Sequence, residues 1–271
     1  MRIEAINATV RFGGYSALTG VDCAVRSGEM VGLIGPNGAG KTTLMRVLAD
    51  LQPLQAGEAR YDGRRAHELA RGELARRVAF LAQGGEATWP LRVDHLVALG
   101  RLPHRRVFSG PSAADRAAVE AALRSADVAH LRARTLGALS GGERARALLA
   151  RALAVQAEML LADEPVAALD PLHQLSAMAL LRSVARGGAG VVAVLHDLTL
   201  AVRFCDRLIV LAGGRVVADG PPSALTDAVL SAAYGVDVVR GEHRGEPFIV
   251  PWAASAPSPG AGKPAPDPAG P

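Results

Sequence analysis

Lysine is almost missing from this chain. Of its 30 basic residues only Lys41 and Lys263 are lysines, and the rest are arginine. Aromatic residues are scarce as well, 4% against 49% hydrophobic overall, so the core has to be built from Ala, Val and Leu. Cys23 and Cys205 are the two cysteines, far apart and beside no metal-ligand cluster. That argues against a disulfide framework and for two small core residues in a reducing compartment. No apolar run reaches membrane-spanning length before a charge breaks it, and Met1 to Val10 has no signal-peptide core. The expectation is a soluble, cytoplasmic protein. There is no block of one charge either. The net is +4 and the arginines are scattered, so a nucleic-acid surface is not indicated.

In a chain this poor in lysine, Lys41 is informative. It stands in Gly35-Pro36-Asn37-Gly38-Ala39-Gly40-Lys41-Thr42, which meets G-x-x-x-x-G-K-[ST] at every fixed position. Met30 to Ile34 before it form an apolar run of strand length. Thr43 to Asp50 after it carry Leu44, Val47 and Leu48 at helical spacing. Strand, Gly-rich turn and helix together describe a phosphate-binding loop. Its backbone N–H groups and the helix N-terminus attract phosphate oxygens. A compact ammonium at Lys41 fits between phosphates where a planar guanidinium does not, and the Thr42 hydroxyl suits Mg²⁺.

Residues 1–30 alternate apolar and polar (Ile3, Ala5, Val10; then Val21, Cys23, Val25), which predicts antiparallel strands. Phe12 and Tyr15 flank Gly13-Gly14 between them, and an aromatic side chain there could stack on a purine or simply pack. Gln52 to Gly57 is expected to be a break, Arg60 to Gly63 a turn, and Val78 to Ala82 a strand ending at Gln83. From about 84 to 156 the pattern is helical, interrupted at Arg101 to Arg106 by what is expected to be a solvated basic turn. Leu139-Ser140-Gly141-Gly142-Glu143 then opens an Ala- and Arg-rich helix, with Ser140 and Glu143 spaced as a capping box. Capping does not require Gly141-Gly142. Two glycines at a helix start leave bare N–H groups, again suited to an anion.

Met159 to Ala162 is an apolar run ending in Asp163-Glu164-Pro165, and Gly190 to Leu195 another, ending in His196-Asp197. Acids at the end of a buried strand are costly unless they serve a cation or a reaction. Asp206 to Leu211 and Arg215 to Ala218 suggest a hairpin, Leu225 to Tyr234 a short helix, and Phe248 to Val250 a last strand. Residues 251–271 are almost all Pro, Ala, Ser and Gly without period, and disorder is expected from Ala253 to Pro271.

In this order the elements resemble the ATP-binding subunit of an ABC transporter across about residues 1–250. Leu139 to Glu143 resembles the family's signature motif, Met159 to Glu164 its Walker B strand with the following glutamate, Gln83 its Q-loop glutamine, His196 its switch histidine, and Ala168-Leu169-Asp170 its D-loop. The resemblance implies an α/β fold: a P-loop NTPase (RecA-like) core, an N-terminal antiparallel β part and an inserted helical subdomain at about 84–156. It implies ATP and Mg²⁺ as cofactors and ATP hydrolysis as the activity. Gly35 to Thr43 would hold the phosphates, and Phe12 the adenine. Thr42, Asp163 and Gln83 would serve the metal. Glu164 would polarise the attacking water with His196, Gln83 and Lys41 in support. Ser140, Gly141, Gly142 and Asp170 would serve the nucleotide of a second copy. Three positions depart from the common pattern: Val166, Ala168 and Ala145.

Leu99 to Arg105, Val191 to Leu198 and Leu172-His173-Gln174 are similar to the importers of iron chelates, haem and cobalamin. That resemblance implies a peripheral subunit at the cytoplasmic face of the inner membrane. Integral permease subunits would dock at about Thr88 to Leu102, a solute-binding protein would act indirectly, and nucleic acid would have no part. Two rivals are an ABC-type ATPase of another importer class and one acting on nucleic acid. The second usually carries a coiled-coil insertion or tandem nucleotide domains, and neither is present in this sequence.

Overall fold

The computed structural model describes residues 1–70, 72–84, 90–105 and 110–255. The chain opens with an antiparallel hairpin, β1 (Arg2–Phe12) and β2 (Tyr15–Arg26). Its inward residues change parity, Ile3 and Ala5 before Ala8 and Val10. A bulge makes the change: the register shifts between Ala5 and Ala8, and Asn7 takes φ 48. β3 (Met30–Ile34) then enters the interior, buried at all five positions, and α1 (Lys41–Leu48) follows the glycine loop.

β4 (Ala56–Tyr61) and β5 (Arg64–Arg65) return to the first sheet, whose order is β2-β1-β4-β5. The segment expected to be a break and a turn thus holds a strand. Ala56, Gly57 and Glu58 are weak strand formers, and pairing with β1 from Ile3 to Thr9 imposes the extended form. After α2 (Glu73–Arg77) and β6 (Val78–Leu81) come the helical insert's α3 (Val93–Leu99), α4 (Ala113–Ser125) and α5 (Gly141–Leu153). Alternation of strand and helix then continues through β7 (Met159–Ala162), α6 (Pro171–Arg186), β8 (Gly190–Val194), α7 (Leu198–Phe204), β9 (Arg207–Ala212) and β10 (Arg215–Gly220). The chain closes with α8 (Asp227–Tyr234) and a separate hairpin, β11 (Val236–His243) and β12 (Glu246–Ala254).

The central sheet has the order β10-β9-β3-β8-β7-β6, parallel except for β10 at its edge. β3, β7 and β8 are buried along their whole length, as expected of a parallel sheet covered on both faces. One face packs with α1 under the antiparallel sheet. The other packs against α5, α6 and α7 and the C-terminal elements. The insert has a small core of its own from α3, α4 and α5, and Leu148 and Leu153 of α5 pack against both that core and the main one. Cys23 and Cys205 are buried free thiols, both pushed up to about 12 by burial, which suits the core role expected of them.

Two expectations change. The basic turn is not solvated at its start: Arg101 is buried, its Nε 2.9 Å from Asp115 Oδ1. Its Nη1 donates to Ala154 O at 2.8 Å and Val155 O at 3.3 Å, the carbonyls just past the end of α5, and His104 Nε2 lies 2.8 Å from Val155 O. Arg106 lies outside the described residues. The last strand also runs through Pro251 to Ala254, into the segment expected to lack structure, because its partner β11 reaches Ala254 from Val236.

Candidate functional site

Four loops leave the central sheet at the C-terminal ends of adjacent parallel strands: after β3, β8, β7 and β6. This edge is where open α/β sheets place their ligands. The first loop is held by its glycines. Gly35 has φ 147, and a Cβ there would lie 2.1 Å from Leu211 O. Gly40 has φ 100, and a Cβ there would lie 2.4 Å from Ala17 O. Both positions are closed to any side chain, so the loop rests directly on β9 and β2.

Lys41, the first residue of α1, is buried, and its Nζ donates to Gly35 O at 2.7 Å and Pro36 O at 2.8 Å. Burial holds its pKa below the ordinary lysine value, against the pull of Glu164 and Asp163. The Thr42 hydroxyl lies beside Asp163 and pulls its pKa down, against burial. Asp163 is 2% exposed, burial raises its pKa, and its Oδ1 has no hydrogen-bond partner among the described residues. A buried carboxylate oxygen without a partner, beside a hydroxyl, is the hard-oxygen donor set that a magnesium ion takes. These residues fit Mg²⁺.

Glu164 follows in a left-handed conformation, φ 54, and its Oε1 lies 2.7 Å from His196 Nε2. A carboxylate only accepts, so Nε2 carries the hydrogen. His196 stands between Leu195, whose N–H donates to Leu33 O at 3.1 Å, and Asp197, which caps α7 by accepting from Leu200 N at 2.9 Å.

Phe12, Tyr15, the loop from Asn37 to Thr43, Gln83, Glu164 and His196 line one open cleft of about 690 Å³, within the range of small-molecule sites. Gly35 and Pro36 form its base through Lys41. Phe12 and Tyr15 are paired across the β1–β2 hairpin, and both are more than half or half exposed, at 56% for Tyr15 and 50% for Phe12. Tyr15 Oη donates to Gly38 O at 2.7 Å. The residue pattern offered both, since they flank the same two-residue turn, and the resemblance favoured Phe12; the structure brings both to the cleft.

Ser140, Gly141, Gly142 and Asp170 do not line this cleft. Ser140 caps α5 as expected, its Oγ accepting from Glu143 N at 3.2 Å while Glu143 Oε2 accepts from Ser140 N at 2.7 Å. Gly141 opens onto a neighbouring cleft that Gln83, Asp163 and Glu164 also line. Asp170 caps α6, accepting from His173 N at 3.0 Å, with His173 Nδ1 2.7 Å from its other oxygen.

Comparison with known proteins gives one family. The ABC transporter family matches residues 18–167. The hemin import ATP-binding protein HmuV of Pseudomonas fluorescens is 43% identical over 92% of this chain and 99% of its own. The HmuV of Streptomyces coelicolor is 44% identical over 89% of this chain and 87% of its own. Among solved structures, the dimeric ABC transporter cassette MJ0796 is 29% identical with a TM-score of 0.72, covering 81% of this chain and 98% of that one. A metal-chelate type ABC transporter in an inward-facing conformation shares the fold, with a TM-score of 0.79 at 23% identity over 92% of this chain and 97% of that one. The chain therefore belongs to the ABC transporter family as an ATP-binding, ATP-hydrolysing subunit.

Proposed function

We propose that this chain powers a haem importer, and that Glu164 is its catalytic carboxylate. What carries the cargo class is identity along the whole length. The relative named for hemin import matches over 99% of its own chain at 43% identity. Importers of ferric siderophores or cobalamin are the neighbouring alternatives. What supports the assignment of Glu164 is its contact with His196 at the mouth of the cleft that Lys41 and Thr42 floor.

ATP enters with its phosphates on the N–H groups of residues 37–43 and its base against Phe12 and Tyr15. The Lys41 ammonium exchanges the carbonyls of Gly35 and Pro36 for phosphate oxygens. Thr42 and Asp163 would hold Mg²⁺, with Gln83 at the rim, and would thereby bring charge neutralisation to the phosphates. Glu164 accepts a hydrogen bond from the attacking water and aligns it with the γ-phosphate. His196 fixes that carboxylate through its Nε2 hydrogen. Positioning and charge neutralisation supply most of the acceleration.

Ser140, Gly141, Gly142 and Asp170 do not line this cleft, which supports their serving the nucleotide of a second copy. The related cassette solved as a dimer is in keeping with that. Among the described residues no helix is long and apolar enough to cross a membrane. The chain would therefore sit peripherally on the cytoplasmic face of the inner membrane, bound to integral permease subunits and through them to a solute-binding protein. The docking surface expected at 88–102 lies on α3 and its flanks, and Thr88 lies outside the described residues. Uptake of haem, a ferric siderophore and cobalamin in a source strain whose only copy carries Glu164→Gln tests the reading. Selective loss of haem uptake is expected. Normal uptake of all three, with the variant expressed, would discard the importer assignment.

A further inference from the structure

α7 is seven residues long and carries His196 immediately before its capping residue. Two turns of helix do not hold their own shape or place in water, so neighbouring elements set the position of the histidine. At the far end of α7, Arg182 Nη1 of α6 donates to Arg203 O at 2.8 Å. At the near end the contact comes from the C-terminal hairpin. Thr199 Oγ1 donates to Ile249 O at 2.9 Å and accepts from Ile249 N at 3.2 Å. One hydroxyl thus satisfies both backbone groups of a residue 50 positions away, in the strand whose Ile249 side chain is buried in the main core. Arg203 Nε also lies 3.8 Å from Glu246 Oε2 at the start of the same strand. The helix before the hairpin, α8, approaches the site separately. Tyr234, at the end of α8, turns a buried hydroxyl toward the backbone of Gly35, the first residue of the phosphate loop. The C-terminal elements thus pack against α7 and come near Gly35 without lining the cleft.

We propose that Thr199 is a positioning residue for ATP hydrolysis: by clasping Ile249 of β12 it sets α7, and with it the His196 ring that fixes Glu164. The inference rests on the catalytic reading of His196 given above. A misplacement of well under 1 Å at a catalytic group is enough to slow the chemical step while leaving ground-state binding intact.

The test is Thr199→Val, which keeps the side-chain shape and removes both hydrogen bonds. Turnover should fall on the order of tenfold, with KM for ATP unchanged, and Thr199→Ser, which restores both bonds, should recover it. In protein labelled with ¹⁵N-histidine, the His196 ring signal, assigned by its loss in His196→Gln, should move in Thr199→Val and return in Thr199→Ser. A wild-type kcat in Thr199→Val overturns the proposal. So does a fall in kcat with the His196 signal unmoved, since the loss would then arise elsewhere. If Thr199→Val does not fold, Thr199→Ala, which introduces no bulk, carries the same expectations. Full turnover in His196→Gln would instead overturn the catalytic reading of the histidine, an outcome the Thr199 variants cannot imitate.

Discussion

Glu164 sits in left-handed backbone that a non-glycine residue adopts at a cost of about 1–2 kcal/mol. The fold holds it there because Asp163 N donates to Leu81 O at 2.8 Å on one side and His196 takes the carboxylate on the other. Glu164→Gln keeps size and shape but weakens the acceptor. It should bind ATP, lose nearly all turnover and accumulate an ATP-bound dimer on a sizing column; a variant that stays monomeric with ATP and Mg²⁺ would contradict the paired-copy arrangement. Asp163 makes a pH prediction. Burial raises its pKa, so it takes up a proton at higher pH than an exposed aspartate and then ceases to be a metal ligand. The acid limb of the ATPase profile should therefore move to lower pH as Mg²⁺ is raised, because metal and proton compete. The sign for stability is opposite to that of a salt-bridged acid: the folded state gains a proton more readily, so this group's contribution improves as pH falls through its folded value. Lys41, Thr42, Asp163, Glu164 and His196 were all legible in the sequence, since each stands at the end of an apolar strand or inside a glycine motif. Thr199 was not, because its significance lies in a partner 50 residues away.

At the scale of elements, the strands of the central sheet were legible because both faces are covered, leaving uninterrupted apolar runs. The elements that could not be read were those whose form is imposed from outside. β4 owes its extension to β1, β11 to β12, and α7 to its neighbours. The basic turn after α3 is the sharpest case. Arg101 looks like a surface residue in the sequence and is instead bonded to Asp115, Ala154 O, Val155 O and Gln156 Oε1. Its Asp115 partner, held by Ser112 and by Arg101, stays well below the usual carboxylate range. The pair's contribution is therefore present at neutral pH and lost only in strong acid. Arg101→Ala strands buried carbonyls and should lower the melting temperature by on the order of 5 °C. Arg124→Ala, at an exposed helical pair, should leave it unchanged; equal effects would show that the Arg101 cluster is not structural.

For the molecule as a whole, regular structure continues a few residues past the point that composition suggests. The final backbone hydrogen bond of the described chain runs from Ser255 N to Gly235 O at 2.8 Å, and Ser255 Oγ donates to Asp237 Oδ1 at 2.8 Å. Pro, Ala and Ser read as tail, yet β11 supplies enough partners to draw Pro251 to Ala254 into a strand. Truncation after Ser255 should leave melting temperature and ATPase rate as they are. Truncation after Val250 removes half of β12 and should lower both. Identical behaviour of the two truncations would place the boundary elsewhere.

The bonds from Arg101 to the carbonyls just past the end of α5 have a mechanical meaning. Thirteen residues of helix span about 20 Å, and the two ends of this rod are Arg101's attachment and the Ser140 cap. A helix bonded at its tail to the α3 turn and packed along its length into two cores bends little. A push on that turn therefore arrives at Gly141 and Gly142 as displacement of the whole rod, with no relay of side chains between. One buried guanidinium is what joins the turn to the helix.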